Sequence, residues 1–278
     1  MAGFSFFIFL NEIINQINWT VDTTLLGIIS GTAATAIYGV GSQINQYYMA
    51  LSTSISGVFT PQINRIVARG EGDEQLTKLF TRVGRIQFML LMLVLTGFVF
   101  VGEPFICAWG GEEYGAAYWI ALLLIAPVTV PLIQNIGIEI QRAKNMHQFR
   151  SKVYFCMAIG NALVSIPLGM KFGGIGCALG TAISMVVGNG FIMNWYYQTH
   201  IGLDMRYFWK HILSIVPATL PAVALGIIAV RLHTFTGYAG VVTFAVPYAA
   251  VYAVGLYLFA MDESEKNMVR GVMRKIRR

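Results

Sequence analysis

Charge is scarce in this chain. Only 12% of its 278 residues are Asp, Glu, Lys or Arg, where an ordinary soluble domain carries roughly a quarter. With 56% hydrophobic residues and a mean hydropathy of +0.64, this argues against a soluble enzyme. Cysteine is scarce too: Cys107, Cys156 and Cys177 have no metal-ligand spacing and cannot all pair, so they read as small apolar residues within or at the end of apolar segments. The four histidines, His147, His200, His211 and His233, lie in or near loops without mutual spacing, and neither a metal nor a cofactor is expected. No phosphate-binding loop of the Walker type, H-E-x-x-H motif or nucleophile elbow occurs. The chain is therefore expected to be neither an enzyme nor an ATP motor. It also lacks a linker rich in Pro, Ser or charge, and residues 1–10 lack the basic start of a secretory signal.

Long apolar runs are abundant. They cover roughly 4–29, 36–64, 84–106, 115–140, 151–170, 174–198, 211–231 and 239–260. Each is long enough to cross a hydrocarbon core of ~30 Å as a helix. The expected fold is an all-α integral membrane protein with about eight transmembrane helices. Basic residues crowd every second gap: Arg65, Arg69, Lys78, Arg82 and Arg85, then Arg142, Lys144, Arg150 and Lys152, then Arg206 and Lys210, and a tail from Lys266 to Arg278. Only Lys171 and Arg231 of the 19 fall on the other side, so the positive-inside bias places both termini in the cytoplasm of a multi-pass cell-membrane protein. The net charge of +6 needs no nucleic acid, because topology and attraction to anionic lipid account for it. Between Asn64 and Gly84, Leu76, Leu79, Phe80 and Val83 recur at helical spacing, which predicts an amphipathic helix on the cytoplasmic face with Asp73 as its N-cap.

Polar residues enter the first two runs in a pattern. Asn11, Asn15, Asn18 and Asp22 recur at intervals of four, three and four, which places them on one stripe of a helix. A carboxylate at the bilayer centre costs about 2.5–3.5 kcal/mol, so that stripe must face protein or a wet cavity. The second run adds Gln43, Asn45, Gln46 and many hydroxyls. Two readings stand: the groups hydrogen-bond helices together, or Asn11, Asn15, Asn18, Asp22, Gln43 and Gln46 line a path for a polar substrate. Gly27-x-x-x-Gly31 and Gly176-x-x-x-Gly180 permit close helix contact, and prolines within the spans invite bends.

Three stretches carry a resemblance. Val21-Asp22-Thr23-Thr24-Leu25-Leu26-Gly27 with Ala36-Ile37-Tyr38-Gly39-Val40-Gly41 and Thr60-Pro61 is one. Gln141-Arg142-Ala143-Lys144-Asn145 through Asn161-Ala162-Leu163 and Pro167-Leu168-Gly169 is the second, and the Gly-rich run from Phe172 to Ala182 is the third. Together they resemble the second half of bacterial oligosaccharide flippases of the polysaccharide transporter family, in the superfamily that also holds the multidrug and toxic compound extrusion exporters. The resemblance implies a six-helix lobe over 1–198 and two additional spans with a basic tail over 199–278. It implies transport of an undecaprenyl-pyrophosphate-linked oligosaccharide across the cytoplasmic membrane for cell-surface polysaccharide synthesis. It further implies two lobes around a central cavity, so a missing first lobe, a second copy or a partner protein is expected beside lipid-linked oligosaccharide and membrane lipid. Arg65, Arg82, Arg85 and Arg142 at the cytoplasmic mouth are candidates for head-group contact, with topology determination as their other reading. The rival functions are a cation-coupled drug exporter using Asp22 and a non-transporting scaffold.

Overall fold

A computed structural model describes residues 22–276, and every described element is helical. Helix α1 covers 22–29 and turns at once into α2, Gly31–Arg69. The turn falls on Gly31, at φ +81°, a conformation that costs an L side chain about 1–2 kcal/mol. The chain continues through α3 (Asp73–Gly110), a short 3₁₀ turn, α4 (Ala117–Ile133), α5 (Ile136–Ala143) and the long α6, Gln148 to Ile201. Then follow α7 (Met205–Leu213), α8 (Val216–Leu232), α9 (Gly237–Phe259) and α10 (Glu263–Ile276).

Helix α6 is two antiparallel arms joined at Gly173, whose backbone (φ +58°, ψ −135°) is not helical. A side chain on Gly176 would run into the Leu168 carbonyl, and one on Gly180 into Ser165. The second glycine pair therefore does what its spacing predicts, letting two backbones close on each other. The first pair does not: Gly31 is the turn residue itself, and nothing lies close to a side chain built there. Toward its end α6 widens into π-helical turns over Val186–Met193 and Tyr197–Ile201. Asn194 spans that distortion, donating to the carbonyls of Asn189 (2.8 Å) and Gly190 (3.0 Å) while accepting from Gln134 and Trp209.

Among the described residues four helical segments are long and apolar enough to cross a membrane: Asp73–Gly110, Gln148–Ile201, Met205–Leu232 and Gly237–Phe259. A fifth counts if α4 and α5, bent by 42° just after Pro127 and Pro131, form one span. These segments do not confirm the expected count of about eight. Most of the first run lies outside the described residues, α2 is too polar to qualify, and the two arms of α6 count as one segment.

The alternation of charge becomes a geometric fact. Lys144 Nζ bonds Asp73 and the Ile201 carbonyl, Asp204 N–H donates to Thr77, and Arg85 pairs with Glu265, so the second, fourth and sixth gaps and the tail meet at one end. At the other end Glu103 and Glu112 share a surface pocket with Phe235 and Thr236, bringing the third and seventh gaps together.

The separate amphipathic helix predicted before Gly84 does not form. Asp73 opens α3, Gly72 occupies the N-cap, and the helix runs unbroken to Gly110. Leu76, Leu79, Phe80 and Val83 are buried, with Phe80 packed on Tyr197 and Phe208, so their apolar face meets protein instead of a membrane surface.

Candidate functional site

Asp22 lies on α1 with 1% of its surface exposed. The tight turn at Gly31 folds Tyr38 back onto it, and the hairpin of α6 brings Asn161, Ser165, Cys177 and Thr181 to the same place. Tyr38 Oη donates to Asp22 Oδ2 at 2.6 Å and Thr181 Oγ1 donates to the same oxygen at 2.5 Å. Thr181 Oγ1 is also 3.2 Å from Asn161 Oδ1, and Ser165 Oγ lies 2.8 Å from Asn161 Oδ1 and 3.3 Å from the Cys177 carbonyl.

Each hydroxyl carries one hydrogen. The Tyr38 and Thr181 hydroxyls both serve Asp22 Oδ2, and among the described residues Asp22 Oδ1 finds no hydrogen bond. A buried carboxylate short of donors is costly unless a positive charge compensates it. A proton or a small hard cation supplies that charge, and oxygen ligands suit the latter. Among the described residues no group of His, Cys, Asp and Glu could hold a metal of the transition type.

Helix α2 divides its polar residues by face. On the inner face Gln87 Nε2 donates to Ser52 Oγ and Ser56 Oγ, both at 2.8 Å, and Ser52 Oγ donates to the Leu132 carbonyl. Tyr48 Oη meets Thr129 Oγ1 at 2.7 Å. Those groups join α2 to α3 and α4. On the outer face Gly39, Gln43, Gln46, Ala50, Thr53, Gly57, Thr60 and Asn64 follow steps of four and three, which is one helical stripe, and none is buried. The stripe contains neither a charge nor a large apolar side chain, and Arg65, exposed, stands at its basic end.

The sequence-derived candidates separate accordingly. Asn11, Asn15 and Asn18 lie outside the described residues. Asp22 is buried in its cluster, while Gln43 is half-buried and Gln46 exposed on the outer stripe. Asn45 turns inward and is fully buried. Arg142 pairs with Glu139 at 2.9 Å, and Arg82 donates to Ser264. Arg85 does not face a substrate. Its five N–H groups go to Glu265, the His211 and Ala260 carbonyls and Ser214, because the tail helix folds back over it. Sequence reasoning missed Tyr38, Asn161, Ser165 and Thr181 as partners of Asp22. The separations of 16 and 159 residues explain why, although all but Ser165 lie in the stretches that carry the family resemblance.

The family described as polysaccharide biosynthesis protein matches residues 1–119. A curated relative, the probable flippase AglR of Haloferax volcanii, is 26% identical over 174 residues, which is 61% of this chain and 36% of that protein. Among solved structures, the lipid II flippase MurJ in an inward closed conformation aligns over 90% of this chain with a TM-score of 0.73 at 16% identity, and 52% of that chain is covered. The chain thus spans about a third of the curated relative and about half of the solved structure. The long apolar helices and these likenesses agree on a multi-pass membrane protein whose first 119 residues match a polysaccharide biosynthesis family, and whose fold is similar to that of a solved lipid II flippase.

Proposed function

We propose that this chain forms one wall of a transporter that carries a lipid-linked oligosaccharide across the cytoplasmic membrane, with its basic end in the cytoplasm. The observation that carries the reading is the outer stripe of α2. Lipid offers no partner to an amide or hydroxyl, so an unburied polar row along a membrane-protein helix must face water or another protein wall. Uncharged amides suit sugars because they donate and accept. Arg65 at the cytoplasmic end of the row suits a pyrophosphate, which would stay near its headgroup level while the glycan passes along Gln46, Gln43 and their neighbours. The facing wall is supplied by a first lobe, a second copy or a partner protein, in keeping with the fraction of each relative that this chain covers. Undecaprenyl pyrophosphate is the proposed carrier.

The Asp22 cluster supports coupling to a proton or sodium gradient. A drug-exporter reading would place a cationic drug against Asp22, but that carboxylate is buried and closed in by Tyr38 and Thr181.

The test replaces Gln43, Gln46 and Thr53 together by leucine in the protein expressed in its own host. Appearance of lipid-linked oligosaccharide in the outer leaflet should fall at least about tenfold, the effect of losing roughly 1.4 kcal/mol of polar contact at the barrier. Unchanged translocation by an inserted, folded triple variant would remove α2 from the path and leave the scaffold reading standing.

A further inference from the structure

The transport reading leaves α10 without a role, yet the structure holds its start firmly. Asp262 accepts from the Glu265 amide at 2.8 Å while Glu265 Oε2 accepts from the Asp262 amide at 2.9 Å, a reciprocal cap that sets the first turn. The same Glu265 takes Arg85 in a two-pronged pair, Nε to Oε1 at 2.8 Å and Nη2 to Oε2 at 2.9 Å, both side chains buried. The remaining Arg85 hydrogens bond the Ala260 and His211 carbonyls and Ser214, so one arginine ties the start of α10 to α3, α7 and the end of α9. One turn on, Lys266 lies over the Tyr257 ring and Arg270 donates to Tyr257 Oη at 3.2 Å.

After Glu265 the sequence of this helix holds Lys266, Arg270, Arg274 and Lys275 and no acidic residue. Glu263 lies 3.6 Å from Lys266 at the start of the helix. The intervening 268, 269, 272, 273 and 276 are Met, Val, Val, Met and Ile, recurring at the spacing of one helical face. A basic amphipathic helix at the end of a membrane span, on the side where the basic gaps converge, matches the chemistry of an anionic bilayer surface. The contacts of Ser264, Glu265 and Arg270 are to α3 and α9, neither of which carries the polar stripe.

We propose that α10 is an interfacial helix that binds the anionic phospholipid headgroups of the leaflet on the basic side, held at that surface by the buried Arg85–Glu265 pair. This inference is independent of what the protein transports.

The full chain would be reconstituted in nanodiscs of phosphatidylcholine alone and of an equal mixture with phosphatidylglycerol, and amide hydrogen exchange followed across Glu263–Ile276. Exchange should be at least about tenfold slower in the anionic discs, with exchange in α4 the same in both. Replacing Arg270, Arg274 and Lys275 by glutamine should abolish the difference. Equal exchange of wild-type α10 in the two discs would overturn the proposal without any variant being needed. So would equal protection on adding inorganic pyrophosphate to phosphatidylcholine discs, which would make α10 a binder of free phosphate instead of a lipid surface.

Discussion

Asp22 shows how far a single position depends on what surrounds it. Its Oδ2 accepts two hydroxyls and, among the described residues, its Oδ1 none, which leaves one carboxylate oxygen to take a proton or a small cation. Asp22→Asn keeps the shape and removes the charge. Transport driven by an imposed proton or sodium gradient should then drop about 10- to 100-fold, in line with the worth of one charged contact. Retention of gradient-driven transport by that variant would dismiss the coupling role. His147, in the turn between α5 and α6, makes a second prediction at this scale. Burial, and then the Arg142 charge, lower its pKa below the ordinary 6.5. The folded state thus binds a proton less readily than the unfolded chain, and the stability that a neutral His147 contributes is present above about pH 6.5 and lost as pH falls below it. Amide protection factors over 144–152, corrected for the intrinsic pH dependence of exchange, should fall between about pH 8 and about pH 5, and His147→Gln should flatten that response.

At the scale of elements, the two hairpins decide the site. Asp22 reaches Tyr38 only because Gly31 reverses the chain, and Thr181 reaches Asn161 and Ser165 only because Gly173 reverses α6. The close arms leave no room for a side chain at Gly180. Gly180→Val should cost about 1–3 kcal/mol or more in detergent unfolding, as overpacking does, and should weaken ion-dependent stabilisation along with it. An equivalent loss from Gly57→Val, on the open outer stripe where nothing lies close, would contradict this account. Sequence spacing anticipated the Gly176 and Gly180 contact well. It misread residues 73–83, because an apolar helical face looks the same whether it will lie on lipid or on Phe208 and Tyr197.

For the whole molecule, the outer stripe of α2 is the face that needs a neighbour. A cysteine placed at Gln46 or Ala50, in a background with Cys107, Cys156 and Cys177 replaced, should cross-link in native membranes to a second polar wall: another copy, a separate protein or a preceding lobe. Exclusive labelling of that cysteine by a lipid-soluble probe, with no protein adduct, would mean that the stripe faces hydrocarbon and would end the path assignment.

Composition and charge order by themselves determined that this is a helical membrane protein whose loops alternate in charge, because apolar length and basic flanks act locally and are written along the chain. The same sequence required Asp22 to face protein or a wet cavity, since its cost in lipid does not depend on the partner. Which groups surround it, that Arg85 serves Glu265 and not a substrate, and that α2 turns Asn45, Ser52 and Ser56 inward while Gln46 and Thr53 stay outside were decided only by tertiary structure. Those outcomes depend on contacts between positions from 16 to 180 residues apart, and helical periodicity specifies a face without specifying what it meets.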